Sequence, residues 1–305
     1  MKQFCVLGSL NMDMVTRVER FPLPGETIIG QSFTIFPGGK GANQAVALGR
    51  LGCTVEMVGA IGDDMLGTQY RKVLEDAGAR CCGVITSAGT ATGTASIEVN
   101  STGENHIIVV AAANGSVTPA FVRDRRAYIE AADILLMQLE IPLESVLEAA
   151  KIASAKKRTI ILDPAPAVPL SDELYRHISI ITPNETEATL LTGEDTSTEA
   201  GMLRAGRILL DRGVGTVIIK AGKQGAFLVD RSGAELVPGF KVKTVDTVAA
   251  GDSFNAGLAC ALGNGKSLKE AIRFANAVAA LSTTREGAQS AMPSYAEATA
   301  LLENN

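Results

Sequence analysis

The chain has 305 residues, 46% of them apolar and 20% charged, with a net charge of −5. This length suits one large α/β domain or a domain with an appendage, and the composition excludes disorder and a coiled coil. No basic tract stands out and no apolar run is long enough to span a bilayer, so neither nucleic acid nor a membrane is expected as a partner.

The N-terminus enters a strand at residues 4–7 without a signal-peptide pattern. The cysteines, Cys5, Cys53, Cys81, Cys82 and Cys260, form no C-x-x-C and no zinc-like spacing. They read as small thiols in a cytoplasmic protein. The first strand runs into Gly8-Ser9-Leu10-Asn11-Met12-Asp13. Such a turn places Asn11 and Asp13 at the carboxyl edge of a sheet, where open α/β folds bind ligands. Asn and Asp together donate to and accept from hydroxyls, although an Asx turn needs the same residues.

Residues 15–18 and 27–36 read as short β pieces that interrupt the strand–helix alternation. Pro37-Gly38-Gly39-Lys40-Gly41 then opens a helix. Its spacing does not match a Walker loop, since Gly41 follows Lys40 where Ser or Thr is required. The glycines instead let backbone approach a ligand, with Lys40 and Asn43 supplying donors. A strand at 54–58 and a helix at 66–77 follow. β-like segments return at 82–86, 94–99 and 106–110. The β excursion therefore comes in two instalments, about 14–36 and 82–110, within a single domain spanning 1–305. The instalments are expected to pair as a small sheet over the main sheet, as a lid.

From Thr118 the alternation is regular. Helices at 119–131, 143–155 and 199–212 alternate with strands at 134–136, 159–162, 178–181 and 216–220. This is the pattern of a doubly wound, mostly parallel sheet. Polar residues recur just after strands: Glu140, Asp163, Asn184, Glu187, Gly222 and Gly225. All would gather at one edge. Asn184-x-x-Glu187 fits both a capped helix start and a magnesium-linked site. Asn276, inside an apolar helix at 268–281, needs a partner that a ligand could supply.

The chemistry is expected at residues 245–257. A β-type segment, 243–248, leads through Ala249-Ala250-Gly251 to Asp252 and a helix. Small residues there leave first-turn N–H groups open to an anion. A carboxylate beside such a hole makes sense as a base that takes a proton while the hole holds negative charge. The plain alternative is a helix N-cap.

Three stretches resemble the ribokinase branch of the phosphofructokinase-B-type carbohydrate kinases: Gly8-Ser-Leu-Asn-Met-Asp13, Pro37-Gly-Gly-Lys-Gly-Ala-Asn43 and Asp246-Thr-Val-Ala-Ala-Gly-Asp252. Gln138-Leu-Glu140, Pro183-Asn-Glu-Thr-Glu187 and Gly287-Ala-Gln289 extend the resemblance nearly end to end. It implies a doubly wound core with a β lid and transfer of phosphate from ATP to the 5-hydroxyl of ribose. It implies sugar contacts from Asn11, Asp13, Gly39, Lys40, Asn43, Glu140 and Asp252, with Asp252 as base and Ala249, Ala250 and Gly251 as anion hole. It implies ATP contacts from Asn184, the Lys220 to Gly225 loop including Gly222, Gly251 and Asn276. Glu187 would organise Mg2+ through water. A monovalent cation, K+, would sit by Asp246, Val248, Ser282, Arg285 and Gly287. Ala111-Ala112-Ala113-Asn114 departs from the family, which has a glycine-containing stretch there. Another pentose or a nucleoside as substrate stays open, as does a non-catalytic sensor on the same fold. A homodimer through the lid is expected, because the small sheet keeps apolar residues (Ile28, Phe33, Ile35, Ile97 and Val99) on a face or edge away from the ligand.

Overall fold

The computed structural model describes residues 2–304. The chain opens with β1 (Gln3–Leu7), β2 (Asn11–Arg17), β3 (Ser32–Gly38), α1 (Lys40–Arg50), β4 (Thr54–Gly62), α2 (Met65–Asp76) and β5 (Arg80–Ser87). β6 (Gly93–Val99) and β7 (Asn105–Val110) follow, then α3 (Pro119–Asp124), α4 (Arg126–Ala131), β8 (Ile134–Met137), α5 (Leu143–Ala155) and β9 (Thr159–Leu162). Next come α6 (Asp172–Tyr175), β10 (Ile180–Ile181), α7 (Glu185–Thr192), α8 (Glu199–Asp211) and β11 (Thr216–Lys220). A hairpin, β12 (Gly225–Asp230) and β13 (Gly233–Pro238), precedes α9 (Ala250–Gly263), α10 (Leu268–Ser282) and α11 (Tyr295–Glu303).

The main sheet has nine strands among the described residues, in the order β13-β12-β11-β10-β9-β8-β1-β4-β5. All neighbours are parallel except β11–β12 and β12–β13. Parallel strands need helices on both faces, and their residues are buried on both sides. β1 shows this: Phe4 and Val6 pack into one core with residues of α1, α9 and α10, while Cys5 and Leu7 pack into the other with residues of α5 and α8. The chain steps outward from β1 through β4 to β5, then returns to β8 and proceeds the other way. The order therefore reverses between β1 and β8, and a crevice opens outside their carboxyl ends. No helix among the described residues is long and apolar enough to cross a membrane.

The small sheet has the order β3-β2-β6-β7. It corrects several expectations. Residues 82–86 belong to β5, at the edge of the main sheet, so the second instalment of the small sheet starts at Gly93. The pattern of a strand does not tell which sheet it joins. Asn11 and Asp13 lie in the first strand of the small sheet, because only Gly8, Ser9 and Leu10 separate β1 from β2. Residues 27–30 form no strand, and β3 starts at Ser32. The expected helix at 119–131 is broken at Arg125. Residues 243–248 form a loop, with Val245 and Val248 more than half exposed. Their alternation therefore has no apolar surface to pack on.

Candidate active site

A cluster of polar side chains and a cleft meet at Asp252. The cluster lies between the start of α1, the turn after β8 and the root of the small sheet. The β2–β3 pairing sets Asn11 against Gly38. A Cβ at Gly38 would lie 2.1 Å from the Asp13 carboxylate, so only glycine lets that side chain stand there. Gly39 has φ +82°, and a Cβ on it would lie 2.6 Å from the Asn11 nitrogen; the chain must reverse tightly into α1. Asn11 Oδ1 accepts from Asn114 Nδ2 at 2.7 Å. Asn114 Oδ1 in turn accepts from the Leu10 N–H at 2.9 Å. Glu140 uses one oxygen, Oε2, to accept from Ser9 Oγ at 2.5 Å and from the Lys40 N–H at 3.1 Å. It is thus pinned at the N-terminus of α1, where negative charge is favoured.

These acids stand close together. Burial first, then Glu140 and Asp252, pushes the Asp13 carboxyl up to about 7, against the pull of Lys40. Burial also works against the charge of Lys40. The carboxylates of Asp252, Asp163, Glu140 and Glu187 outweigh it and raise the ammonium's pKa.

Asp252 itself is 5% exposed, in the first turn of α9. Asn43 Nδ2 donates to its Oδ2 at 2.9 Å and Gln44 Nε2 to its Oδ1 at 3.1 Å. Burial pushes the carboxyl up to about 6; Lys40 and the two amides draw it down, while Asp163 raises it. The preceding residue but two, Ala249, takes the left-handed conformation with φ 58°. That costs an alanine roughly 1–2 kcal/mol, and strain of this kind gathers at functional turns. The side chain of Asp252 does not cap its helix, which removes the plain N-cap alternative. The N–H groups of Gly251 and Asp252 have no acceptor among the described residues.

On the other side lies a cleft of about 940 Å³, lined by Lys40, Asn184, Glu187, Lys220, Gly222, Gly225, Asn276 and residues 249–252. Asn184 and Glu187 form a reciprocal cap on α7: Asn184 Oδ1 accepts from the Glu187 N–H at 2.8 Å, and Glu187 Oε2 accepts from the Asn184 N–H at 2.7 Å. The cap and the cleft wall are the same two residues. Burial holds Glu187 above its ordinary pKa, with Lys220 pulling the other way. Lys220 Nζ donates to Asp163 Oδ1 at 2.7 Å and faces Gly251, where a Cβ would lie 3.3 Å from it. Asn276 finds its partners within the protein: Nδ2 donates to the carbonyls of Val237 and Pro238 at 3.0 and 3.1 Å.

The loop before α9 is tied to the turn after α10. The N–H groups of Val245 and Asp246 both donate to the Thr283 carbonyl, at 2.7 and 3.2 Å. The Asp246 carboxylate accepts from the Val248 and Gly287 N–H groups, each at 3.0 Å. Ser282 Oγ donates to the Ala279 carbonyl at 2.8 Å, and the Arg285 guanidinium pairs with Glu297 on α11.

Sequence reasoning missed Gln44, Asn114 and Tyr70 as site supports. Tyr70 is fully buried, donates to the Gly38 carbonyl and accepts from Gln289 Nε2 at 2.9 Å. Gln289 Nε2 also reaches Asn43 Oδ1 at 3.1 Å. One signal was available for Gln44: positions 40, 43 and 44 share one helix face.

The pattern of the pfkB family carbohydrate kinases matches residues 1–295. The chain is similar to the ribokinase of Haemophilus influenzae, 44% identical over 303 residues and covering 99% of each chain. It is similar to the solved ribokinase of Thermotoga maritima, with TM-score 0.92, 39% identity and 100% of both chains covered. It is also similar to Arabidopsis thaliana ribokinase complexed with ribose and ATP, with TM-score 0.95, 34% identity and 99% of each chain covered. With these matches and a site where a polar cluster and a cleft meet at one buried carboxylate, the chain belongs to the pfkB family of carbohydrate kinases.

Proposed function

We propose that this chain is an ATP-dependent ribokinase that phosphorylates D-ribose at its 5-hydroxyl. The observation that carries the reading is the placement of Asp252: a buried carboxylate beside open N–H groups, where the polar side chains of α1 meet the cleft. Similarity to ribokinases over nearly the whole chain supports the same substrate.

In this reading Asn11, Asp13, Gly39, Lys40, Asn43 and Glu140 hold the sugar hydroxyls, and the cleft holds ATP between Asn184, Lys220, Gly222, Gly225 and Asn276. The 5-hydroxyl oxygen attacks the γ-phosphorus as its proton passes to Asp252. The bond from the γ-phosphorus to the β,γ-bridging oxygen breaks, and ADP leaves with the electron pair. The open N–H groups at the start of α9, those of Gly251 and Asp252, would face the charge on the transferring phosphoryl group, where positioned donors contribute most; the Ala250 N–H, expected with them, is bonded to the Thr247 carbonyl at 3.3 Å. The small sheet closes over the sugar as a lid on a single domain.

Glu187 fits a magnesium-linked role. It is a half-buried carboxylate on the cleft wall, and its cap bond occupies only Oε2. Magnesium, when bound, neutralises polyphosphate charge. Asp246, whose carboxylate lies between the Val248 and Gly287 N–H groups, and carbonyls near Val248, Ser282, Arg285 and Gly287 would be the oxygen ligands of a potassium ion. Arg285 does not compete there, because its charge is spent on Glu297. Potassium, when bound, would stiffen the loop before α9.

A coupled assay of ADP release over ribose, 2-deoxyribose, other pentoses and nucleosides tests the proposal. Ribose is expected to give the highest kcat/KM. A site built to bond a hydroxyl rejects an analogue lacking it by up to roughly 10⁴–10⁵. Equal values for ribose and 2-deoxyribose would remove the roles of Asn11 and Asp13. A nucleoside as best substrate would replace the sugar, and ligand binding without turnover would make the protein a sensor.

A further inference from the structure

We propose that Gln44 is a positioning residue whose single side-chain amide bridges Asp252 and Asp163, fixing the base carboxylate beside a second acid. The inference rests on the reading of Asp252 as the base.

The geometry leaves little freedom. Gln44 is 1% exposed, on the face of α1 that carries Lys40 and Asn43. Nε2 donates to Asp252 Oδ1 and to Asp163 Oδ2, both at 3.1 Å. Oε1 accepts from Gln138 Nε2 at 2.7 Å. Carboxylates only accept, so both amide hydrogens are committed and the amide cannot be turned over. The bridge joins three parts of the fold: α1, the start of α9 and the turn after β9.

Two carboxylates facing one another ordinarily cannot both ionise, and one takes a proton. A protonated Asp252 could not serve as base. Other charged or titratable groups face Asp252 as well: Lys40 from α1, Asp13 from β2 and Tyr70 from α2. Glu140 and Glu187 face Lys40, and Lys220 from β11 holds the far oxygen of Asp163. The lysines supply charge from the sides. Gln44 alone places a donor hydrogen on both acids at once.

The test compares Gln44→Met, which keeps the size and removes the donors, Gln44→Glu, which adds a third carboxyl, and Gln44→Met combined with Asp163→Asn. Each is read two ways: the acid limb of kcat/KM against pH, and the carboxyl-carbon NMR titration of Asp252, assigned with Asp252→Asn. Gln44→Met is expected to move both upward by about one pH unit, tenfold in rate below the limb. Gln44→Glu moves them further, and Asp163→Asn returns the Met variant toward wild type. A Gln44→Met titration and limb that coincide with wild type, with kcat lowered evenly at all pH, would overturn the bridge and leave a packing role. A titration that moves while the limb stays upholds the bridge and removes the base assignment of Asp252. If Gln44→Met does not fold, as judged by circular dichroism, Gln44→Glu carries the same two readouts.

Discussion

Asp252 is held by two amides and an ammonium, yet burial keeps its carboxyl near 6 rather than fully acidic. A general base works best with its pKa near the working pH. Asp252→Asn is therefore expected to keep the fold and ribose affinity while kcat falls roughly 10²–10⁴-fold. Circular dichroism, calorimetry and the coupled assay check the three parts, and retention of half the wild-type kcat would reduce Asp252 to a structural role. Asp13 gives a prediction of different kind. Its carboxyl titrates near 7 in the folded protein against 3.8 for the ordinary group. Between those values the native state binds more protons than the unfolded chain, so stability falls as pH rises through the window. Asp13→Asn removes that cost. The variant is expected to match wild type in melting temperature below about pH 4 and to exceed it by roughly 2 °C or more at pH 8, while losing ribose affinity. A pH-independent difference in melting temperature would contradict this. Asp252, Asp13 and Glu140 stood out in the sequence as carboxylates beside glycines or after apolar runs, although Asp13 lies within β2 and a loop rather than a strand precedes Asp252. Gln44 was passed over, because a glutamine in a helix usually faces solvent; its shared face with Lys40 and Asn43 was the one hint, and the packing of α1 against α9 buries it.

At the scale of elements, α/β periodicity was readable wherever both faces of a strand are covered, as in β1, β8, β9 and β11. It failed where pattern and partner separate. β5 carries the same residue types as the small sheet but pairs with β4, and the β12–β13 hairpin adds an antiparallel edge that no helix announces. Residues 243–248 alternate like a strand and form a loop because their backbone bonds go to Thr283 and to the Asp246 side chain. That loop carries a prediction. It precedes Ala249, whose strained backbone aims the first turn of α9, and preorganisation is what makes such donors effective. The direct bonds from residues 245 and 246 to Thr283, and from Gly287 to Asp246, join the two segments without an ion. A large cation among the remaining carbonyls would stiffen them further. Turnover is expected to rise when sodium is exchanged for potassium at fixed ionic strength. An unchanged rate, in buffer freed of potassium and ammonium, would mean that the hydrogen bonds suffice, and the kinase assignment would stand.

For the whole molecule, the small sheet poses a problem that one chain does not solve. Phe33 and Ile35 on β3 are 59% and 42% exposed, and Ile107, Ile108, Val109 and Val110 on β7 are all more than half exposed. Ile28, Ile97 and Val99, grouped with them from the sequence, are half-buried and contribute less. The run on β7 is stronger than the sequence suggested, since every residue of that strand is exposed on whichever face it lies. β3 and β7 are also the two edges of the sheet, so unpaired backbone groups stand beside the apolar side chains. Isolated edge strands of this character invite pairing, and natural monomers rarely leave so contiguous an apolar patch in water. A second copy is the simplest partner, because a two-fold contact covers the same patch on both chains at once. Light scattering at micromolar concentration is expected to give twice the chain mass of 31.7 kDa. Ile108→Glu combined with Val110→Glu, which places charge on the exposed strand, is expected to shift the protein toward monomer without lowering its melting temperature as a monomer. Because the same sheet carries Asn11 and Asp13 at its root, loss of the dimer should loosen the sugar pocket and raise KM for ribose more than it lowers kcat. A wild-type mass of one chain would show instead that the face stays open in solution.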